Sequence, residues 1–382
     1  MSFVAKVKRQ QQLFSVAKVK RQLQLCKGII DRRGTMDTIQ VRASERIDEV
    51  KLHSFLKSQF PELPEGKLEI SQFSAGHSNL TYCLKVGEFE VVLRRPPHGP
   101  VAKKAHDMKR EFTILSALHP FLAAVPKPYV YVEDREIIGS DFFLMERKKG
   151  IVLDTHFPPG TENTEDLGRL ISEKMVDSLV ALHAIPYKET KLKDMVKPEG
   201  FMERQVHGWI ERYDKAKTAE YAEVAALTKW LKDHVPSDHE ATIIHYDYKL
   251  NNAMFSSNYS EMIGLFDLEM TTVGDPLADL GVAMSYWMHA DDPKMLLYAF
   301  GEPPITTLPG FYTRQEFINR YAEKSGRDVS AIDYYITFAY FKLAVICQQI
   351  YYRYVNGQTK DDRFAQMDKM VAALIHQASK AL

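Results

Sequence analysis

The chain has 382 residues, 45% of them hydrophobic, enough for a large core in one bilobed domain or two smaller ones. Its 50 basic and 50 acidic residues cancel, but residues 1–35 hold nine Lys/Arg against Asp31 alone. The remaining body, 41 basic and 49 acidic, excludes a general electrostatic case for nucleic acid, and no run of about 18 apolar residues exists to cross a membrane.

Three scattered cysteines (Cys26, Cys83, Cys347) fit a reducing, cytoplasmic setting rather than a disulfide framework. Nothing in the pattern sets an oligomeric state. At the N-terminus VAKVKRQ occurs at residues 4–10 and again at 16–22. One duplicated unit is too little for a solenoid. A basic transit peptide and a basic surface helix are open readings. A disordered extension over residues 1–35 is preferred, with the working protein beginning near Met36, because no small-residue cleavage site or apolar signal core follows.

Residues 44–60 read as a capped amphipathic helix carrying Ile47, Val50, Phe55 and Leu56, stopped by Pro61. Strand patterns follow at 68–73, 79–86 and 89–94. The last two form an antiparallel hairpin across Gly87-Glu88. Residues 103–118 have helical period, and 142–145 is a short apolar strand. Beyond Gly150 the chain turns helical. A strong helix spans 165–184, a charged helical segment spans 201–233, and aromatic-rich helices run from Arg314. Short strands interrupt at 242–244, 254–255 and 263–266. The expected fold is α+β: a small antiparallel-sheet lobe over residues 36–147 and a larger, mainly helical lobe over 148–382.

Several segments carry candidate chemistry. In FSAGHSNLTY, Gly76-His77-Ser78 mimics the elbow that presents a nucleophilic serine. Leu80 occupies the place of that elbow's second glycine, and the following residues alternate like a strand. The alternative is a strand–glycine turn–strand whose backbone around Gly76, Ser78 and Asn79 lies over phosphates; alone, it reads equally as an ordinary hairpin turn. Arg94 ends a VVLR strand, on the face of Val92. Taken alone it is a solvated strand end. Glu111 lies on the apolar stripe of Met108, Leu115 and Leu118, where a carboxylate needs a partner or must snorkel from the stripe's edge. Arg94 is the natural partner, and a strand cation joined to a helix Glu is an arrangement that fixes phosphates.

The segment IIHYDYKLNN (243–252) sets Asp247 five residues before Asn252. Phosphoryl transfer asks for a carboxylate to accept a hydroxyl proton, oxygen ligands for a metal, and cations for the moving charge. Asp247 is the candidate base, Lys249 the charge-neutralising cation, and Asn252 a ligand suited to Mg²⁺. Fifteen residues on, GLFDLEM supplies Asp267 as second ligand, with Glu269 alternating onto the same side to assist metal or water. Asp275, ahead of Pro276, reads as a helix cap, and Asp279 likewise as structural.

The set of Gly turn, strand cation with inward Glu, Asp-x4-Asn and Asp-x-Glu resembles the aminoglycoside phosphotransferase family, small-molecule kinases with the bilobed protein-kinase-like fold. GHSNLTY, VVLRRPPHGP, AHDMKREF and FDLEMTTVGDPLADLG resemble the branch related to the kinase-like domain of some acyl-CoA dehydrogenases. The resemblance implies ATP and Mg²⁺ as cofactors, Asp247 as base, and Asn252 and Asp267 as metal ligands. It implies Arg94 with Glu111 at the phosphates, and Glu146 and Arg147 at a hinge whose backbone holds adenine. It makes His245 a structural histidine of the loop; His183 is read as structural too. Tyr246 departs from the glycine usual there. The implied function is transfer of the γ-phosphate to a hydroxyl of a small metabolite, a hydroxyacyl-CoA being one candidate. Aminoglycoside O-phosphotransfer and a nucleotide-binding pseudoenzyme are the alternatives. The aromatics Tyr334, Tyr335, Phe338, Tyr340, Phe341, Tyr351 and Tyr352 either line the acceptor pocket or pack as core.

Overall fold

A computed structural model describes residues 38–73, 79–97, 107–237, 240–298, 301–359 and 361–382. The duplicated basic segment, the turn positions Gly76 and Ser78, and the first part of the expected 103–118 helix lie outside the described residues.

The smaller lobe is one antiparallel sheet of six strands: β1 (Thr38–Gln40), β2 (Glu69–Phe73), β3 (Leu80–Val86), β4 (Phe89–Arg95), β5 (Pro128–Val132) and β6 (Phe142–Glu146). Their order is β1-β2-β3-β4-β6-β5. The β3–β4 hairpin turns at Gly87, whose φ of +57° is open to glycine, and pairs Val86 with Phe89. Alternation sends Tyr82, Leu84, Val86, Val91 and Leu93 into a core shared with Leu52 and Leu56 of helix α1 (Glu49–Gln59). The other face of β4 carries Val92 and Arg94 toward helix α2 (Met108–Leu118).

Helix α1 starts later than the apolar pattern suggests. A 3-10 turn covers Ala43–Glu45, and Asp48 then caps α1 by accepting the N–H groups of Val50 and Lys51 at 3.1 Å each. The cap puts Val50 in the first turn, facing solvent, and the helix buries Leu52 and Leu56.

The larger lobe contains α3 (Glu165–His183), α4 (Phe201–Ala216), α5 (Val224–Asp233), α6 (Pro276–Tyr286), α7 (Arg314–Ser325), α8 (Ile332–Val355) and α9 (Met367–Ala378). The charged 201–233 segment is thus two helices. Short strands β7 (Ile151–Val152), β8 (Thr242–Ile244), β9 (Ala253–Phe255), β10 (Met262–Leu265) and β11 (Thr272–Gly274) form the sheets β10-β9-β7 and β11-β8. Helix α8 packs on α4, α6 and α9. It crosses α6 closely because Gly281 has no side chain: a Cβ there would stand 2.7 Å from the Tyr335 backbone. Tyr334, Tyr335, Phe338, Tyr340 and Phe341 are buried core, whereas Tyr352 is exposed. A helix apolar almost all round is buried for this reason. Among the described residues, no helix is long and apolar enough to cross a membrane.

Candidate active site

The loop between β8 and β9 turns sharply at Tyr246, whose φ is +65°. Asp279 of α6 holds that turn. Its carboxylate accepts the N–H of His245 at 2.6 Å and of Tyr246 at 2.8 Å, and stands 3.1 Å from His183 Nε2. Burial pushes the Asp279 carboxyl up, but His183, His245 and the backbone donors outweigh it and keep it below the ordinary carboxylate range. His183 also meets the Tyr321 hydroxyl at 2.7 Å. Asp279 and His183 are therefore supports of the loop, in line with their structural reading.

His245 steadies the same loop from inside. The N–H of Asp247 lies 3.3 Å from Nδ1, so Nδ1 is the acceptor and Nε2 carries the hydrogen that reaches the Phe266 carbonyl at 2.8 Å. This bond ties the loop to the segment holding Asp267. A second tie runs from Phe266 N–H to the Asn252 carbonyl, 2.9 Å.

Three side chains converge on the Asp247 carboxylate. Lys249 Nζ is 2.8 Å from Oδ2, and Asn252 Nδ2 donates to Oδ2 at 3.2 Å and to the Asp247 carbonyl at 2.9 Å. Tyr286, at the end of α6, lies beside the carboxylate; burial first, then that negative charge, pushes its phenol well above the usual range. Lys249 also lies over the Tyr286 ring, 5.1 Å from its centroid. The amide nitrogen of Asn252 is committed to Asp247, so its amide oxygen is the atom left to offer a cation.

On the facing lobe, Arg94 Nε is 2.7 Å from Glu111 Oε1, an ion pair with Glu111 buried and Arg94 partly so, though the N–H is not aimed along a hydrogen bond. Burial raises the Glu111 carboxyl; Arg94 opposes that rise, while Glu269 and Asp267 add to it. Asn79 Nδ2 stands 3.4 Å from Glu111 Oε2, and Arg94 Nη2 stands 3.9 Å from Asp267 Oδ1. The strand cation thus links the helix Glu to the far lobe's carboxylate. Removing one member of such a buried pair costs about 3–5 kcal/mol, because the other is left unpaired.

Asp267 itself has φ +60°, and residues Leu268–Met270 form a 3-10 turn. The strand alternation expected to align Glu269 with Asp267 therefore does not continue: β10 has already ended. The turn brings Glu269 near Glu111 by another route. Arg110, beside Glu111 on α2, secures the turn by donating to the Glu269 carbonyl at 2.7 Å and the Thr271 carbonyl at 2.5 Å. Glu146 and Arg147 stand apart from these groups, at the end of β6. Glu146 Oε2 accepts the Lys127 N–H at 3.1 Å, and Arg147 lies over the Phe73 ring at 4.8 Å.

Arg110, Tyr286 and Lys342 are site neighbours that the sequence pattern passes over. Arg110 looks like one more surface charge in KREF, and Tyr286 like helix core. Lys342 does leave a signal, a lone cation within a nearly unbroken apolar helix. Among the described residues, no group of three His, Cys, Asp or Glu could hold a metal alone. Asn252 and Asp267 offer hard oxygens and leave most positions of a cation to phosphate and water, which is the habit of Mg²⁺.

The profile of the phosphotransferase enzyme family matches residues 69–302, a span that includes the sheet, the Asp247 loop and Asp267. Mouse (Mus musculus) acyl-CoA dehydrogenase family member 10 is 30% identical over 345 residues, covering 89% of this chain and 32% of that protein. The human (Homo sapiens) acyl-CoA dehydrogenase family member 11 is 29% identical over 338 residues, 86% of this chain and 42% of that one. The chain spans less than half the length of these curated relatives. A solved Ralstonia eutropha protein of aminoglycoside phosphotransferase type superposes with a TM-score of 0.72 at 26% identity, over 88% of this chain and 99% of that chain. With this architecture and the family's sequence pattern running through both lobes, the chain belongs to the phosphotransferase enzyme family.

Proposed function

We propose that the protein transfers the γ-phosphate of ATP to a hydroxyl of a small metabolite. One observation carries the reading: an Asp247 carboxylate held by Lys249 and Asn252, with Tyr286 beside it, facing the Arg94–Glu111 pair across Asp267. Asp247 receives the acceptor's proton as the oxygen attacks phosphorus. Its neighbours fix the carboxylate's direction, and most of the rate in this chemistry comes from such positioning. Lys249, already beside the base, offers its ammonium to charge on the transferring group. Arg94 grips phosphate oxygens in its planar fork, held in place by Glu111. The backbone at Glu146 and Arg147 meets the adenine. Asn252 and Asp267 hold Mg²⁺, with Glu269 assisting from its turn. Bound there, Mg²⁺ neutralises phosphate charge.

The acceptor class is suggested by the relatives. Lys249 pairs with Asp247 at the site, whereas Lys342 is buried behind the loop, with Arg212 acting on it. The curated relatives named as acyl-CoA dehydrogenases favour an anionic hydroxylated metabolite over a polycationic aminoglycoside. Hydroxyacyl-CoAs are the first class to test.

The test is ATP turnover with Mg²⁺ against a panel of hydroxyacyl-CoAs, sugars and aminoglycosides. One of the anionic acceptors is expected to be phosphorylated, and Asp247→Asn is expected to lower kcat by about 10²–10⁴-fold with ATP affinity nearly unchanged. Full activity of Asp247→Asn overturns the base assignment. ATP binding without turnover on any acceptor overturns the enzyme reading.

A further inference from the structure

Helix α8 is apolar along most of its length, yet Lys342 lies buried at its middle. A buried ammonium is costly unless something there needs its charge. Its Nζ donates to the Tyr246 carbonyl at 2.9 Å and sits 3.4 Å from the Tyr246 ring centroid. The Trp209 ring of α4 lies at 5.8 Å. The charged groups facing it come from three elements: Asp247 and Lys249 on the loop, Asp279 on α6, and Arg212 on α4.

The Tyr246 carbonyl belongs to the peptide that joins Tyr246 to Asp247. The N–H of Tyr246 is held by Asp279, and its carbonyl by Lys342. An anion on one side and a cation on the other therefore grip a residue whose φ is +65°. That conformation is disfavoured for tyrosine and persists when the surroundings over-determine it. The orientation of this peptide sets where Asp247 begins.

Resting on the phosphotransferase reading above, we propose that Lys342 is a positioning residue for the transfer step. Its ammonium clamps the Tyr246–Asp247 peptide, aims the Asp247 carboxylate, and must be protonated for full turnover.

Two trends in opposite directions separate this role from plain core packing. Burial draws the Lys342 ammonium down to about 8; Asp247 and Asp279 oppose the fall, and Lys249 and Arg212 add to it. Turnover therefore falls as pH rises through about 8. Stability moves the other way. The folded chain gives up this proton more readily than an unfolded lysine, so the contribution of Lys342 to stability rises between about pH 8 and about pH 10.4.

The experiment compares the full-length protein with Lys342→Met and Lys342→Arg. Mg²⁺-dependent ATP hydrolysis, with water as acceptor, is measured from pH 6 to 10, alongside backbone hydrogen exchange of residues 245–252 at pH 7. Lys342→Met is expected to lower kcat on the order of tenfold to a hundredfold, to leave KM for ATP within about twofold, and to lose the alkaline limb near pH 8. Lys342→Arg keeps its charge throughout and is expected to recover part of kcat without that limb. The 245–252 amides are expected to exchange faster in Lys342→Met. Unchanged exchange overturns the clamp. A kcat loss with the wild-type pH limb intact overturns the requirement for protonation. If the wild-type protein turns over ATP neither with water nor with any acceptor of the panel, it is the phosphotransferase reading that falls, and the exchange measurement still decides the clamp.

Discussion

Tyr246 occupies a backbone conformation that suits glycine, and the side chain shows why a large residue is kept there. Its ring packs edge-on against Phe201, with centroids 5.8 Å apart, and lies beneath the Lys342 ammonium. Its hydroxyl is 3.2 Å from Gln205 Oε1. Glycine at 246 would relieve about 1–2 kcal/mol of left-handed strain, but deleting a buried aromatic costs about 3–5 kcal/mol. Tyr246→Gly is therefore expected to destabilise the protein by about 2 kcal/mol, read as a lower denaturant midpoint at unchanged slope. A more stable variant would mean that strain dominates at this position. The departure at Tyr246 is a different solution to the same turn, with Asp279 and Lys342 supplying the restraint that glycine makes unnecessary.

Among the elements, α2 and the 3-10 turn after Asp267 act as a pair. Glu111 engages the sheet through Arg94, and the neighbouring Arg110 engages the far lobe through two carbonyls. One helix thus joins Arg94 to the segment that carries Asp267. Charge-assisted hydrogen bonds of this kind contribute about 1.5–3 kcal/mol each, and no other side chain of α2 replaces them if Arg110 is lost. Arg110→Met is expected to destabilise the protein by about 3–6 kcal/mol and to lower Mg²⁺-dependent turnover by about tenfold. Activity equal to wild type, in a protein shown to be folded, would separate the turn's geometry from catalysis. By itself, FDLEM reads as an alternation that aligns Asp267 with Glu269. That reading fails because a local pattern does not announce a left-handed residue: Asp267 leaves the strand plane before the next side chain is placed.

For the whole molecule, the two lobes share a hydrophobic core. Val92, Phe143 and Met145 of the sheet and Ile114, Leu115 and Leu118 of α2 lie in one buried cluster with α3, α6 and α8. The Leu265 N–H also donates across the junction to the Ala124 carbonyl at 2.9 Å. The cluster under α1 is separate and confined to the upper sheet. A core that runs through the junction couples the lobes. A single calorimetric unfolding transition is expected, with van't Hoff and calorimetric enthalpies in agreement. Two resolved transitions would show that the lobes unfold independently. Lys249 sits against Asp247, and Lys342 is buried behind its loop, within a body that is mildly acidic overall. Net charge therefore says little about the charge at the site.

The α+β class, the β3–β4 hairpin and the inward seat of Glu111 are legible in the residues alone. Spacing also marks Asp247, Asn252 and Asp267. Each of these is local: strand alternation, helical period and loop spacing act over a few residues. Which distant groups hold the loop is set by long-range packing. Asp279 is 33 residues from Tyr246, and Lys342 is 96 residues away. Neither distance leaves a periodic trace. A buried charge becomes meaningful when the partner it was buried to meet can be named, and folding alone brings Lys342 to the Tyr246 carbonyl and Arg110 to the turn beyond Asp267.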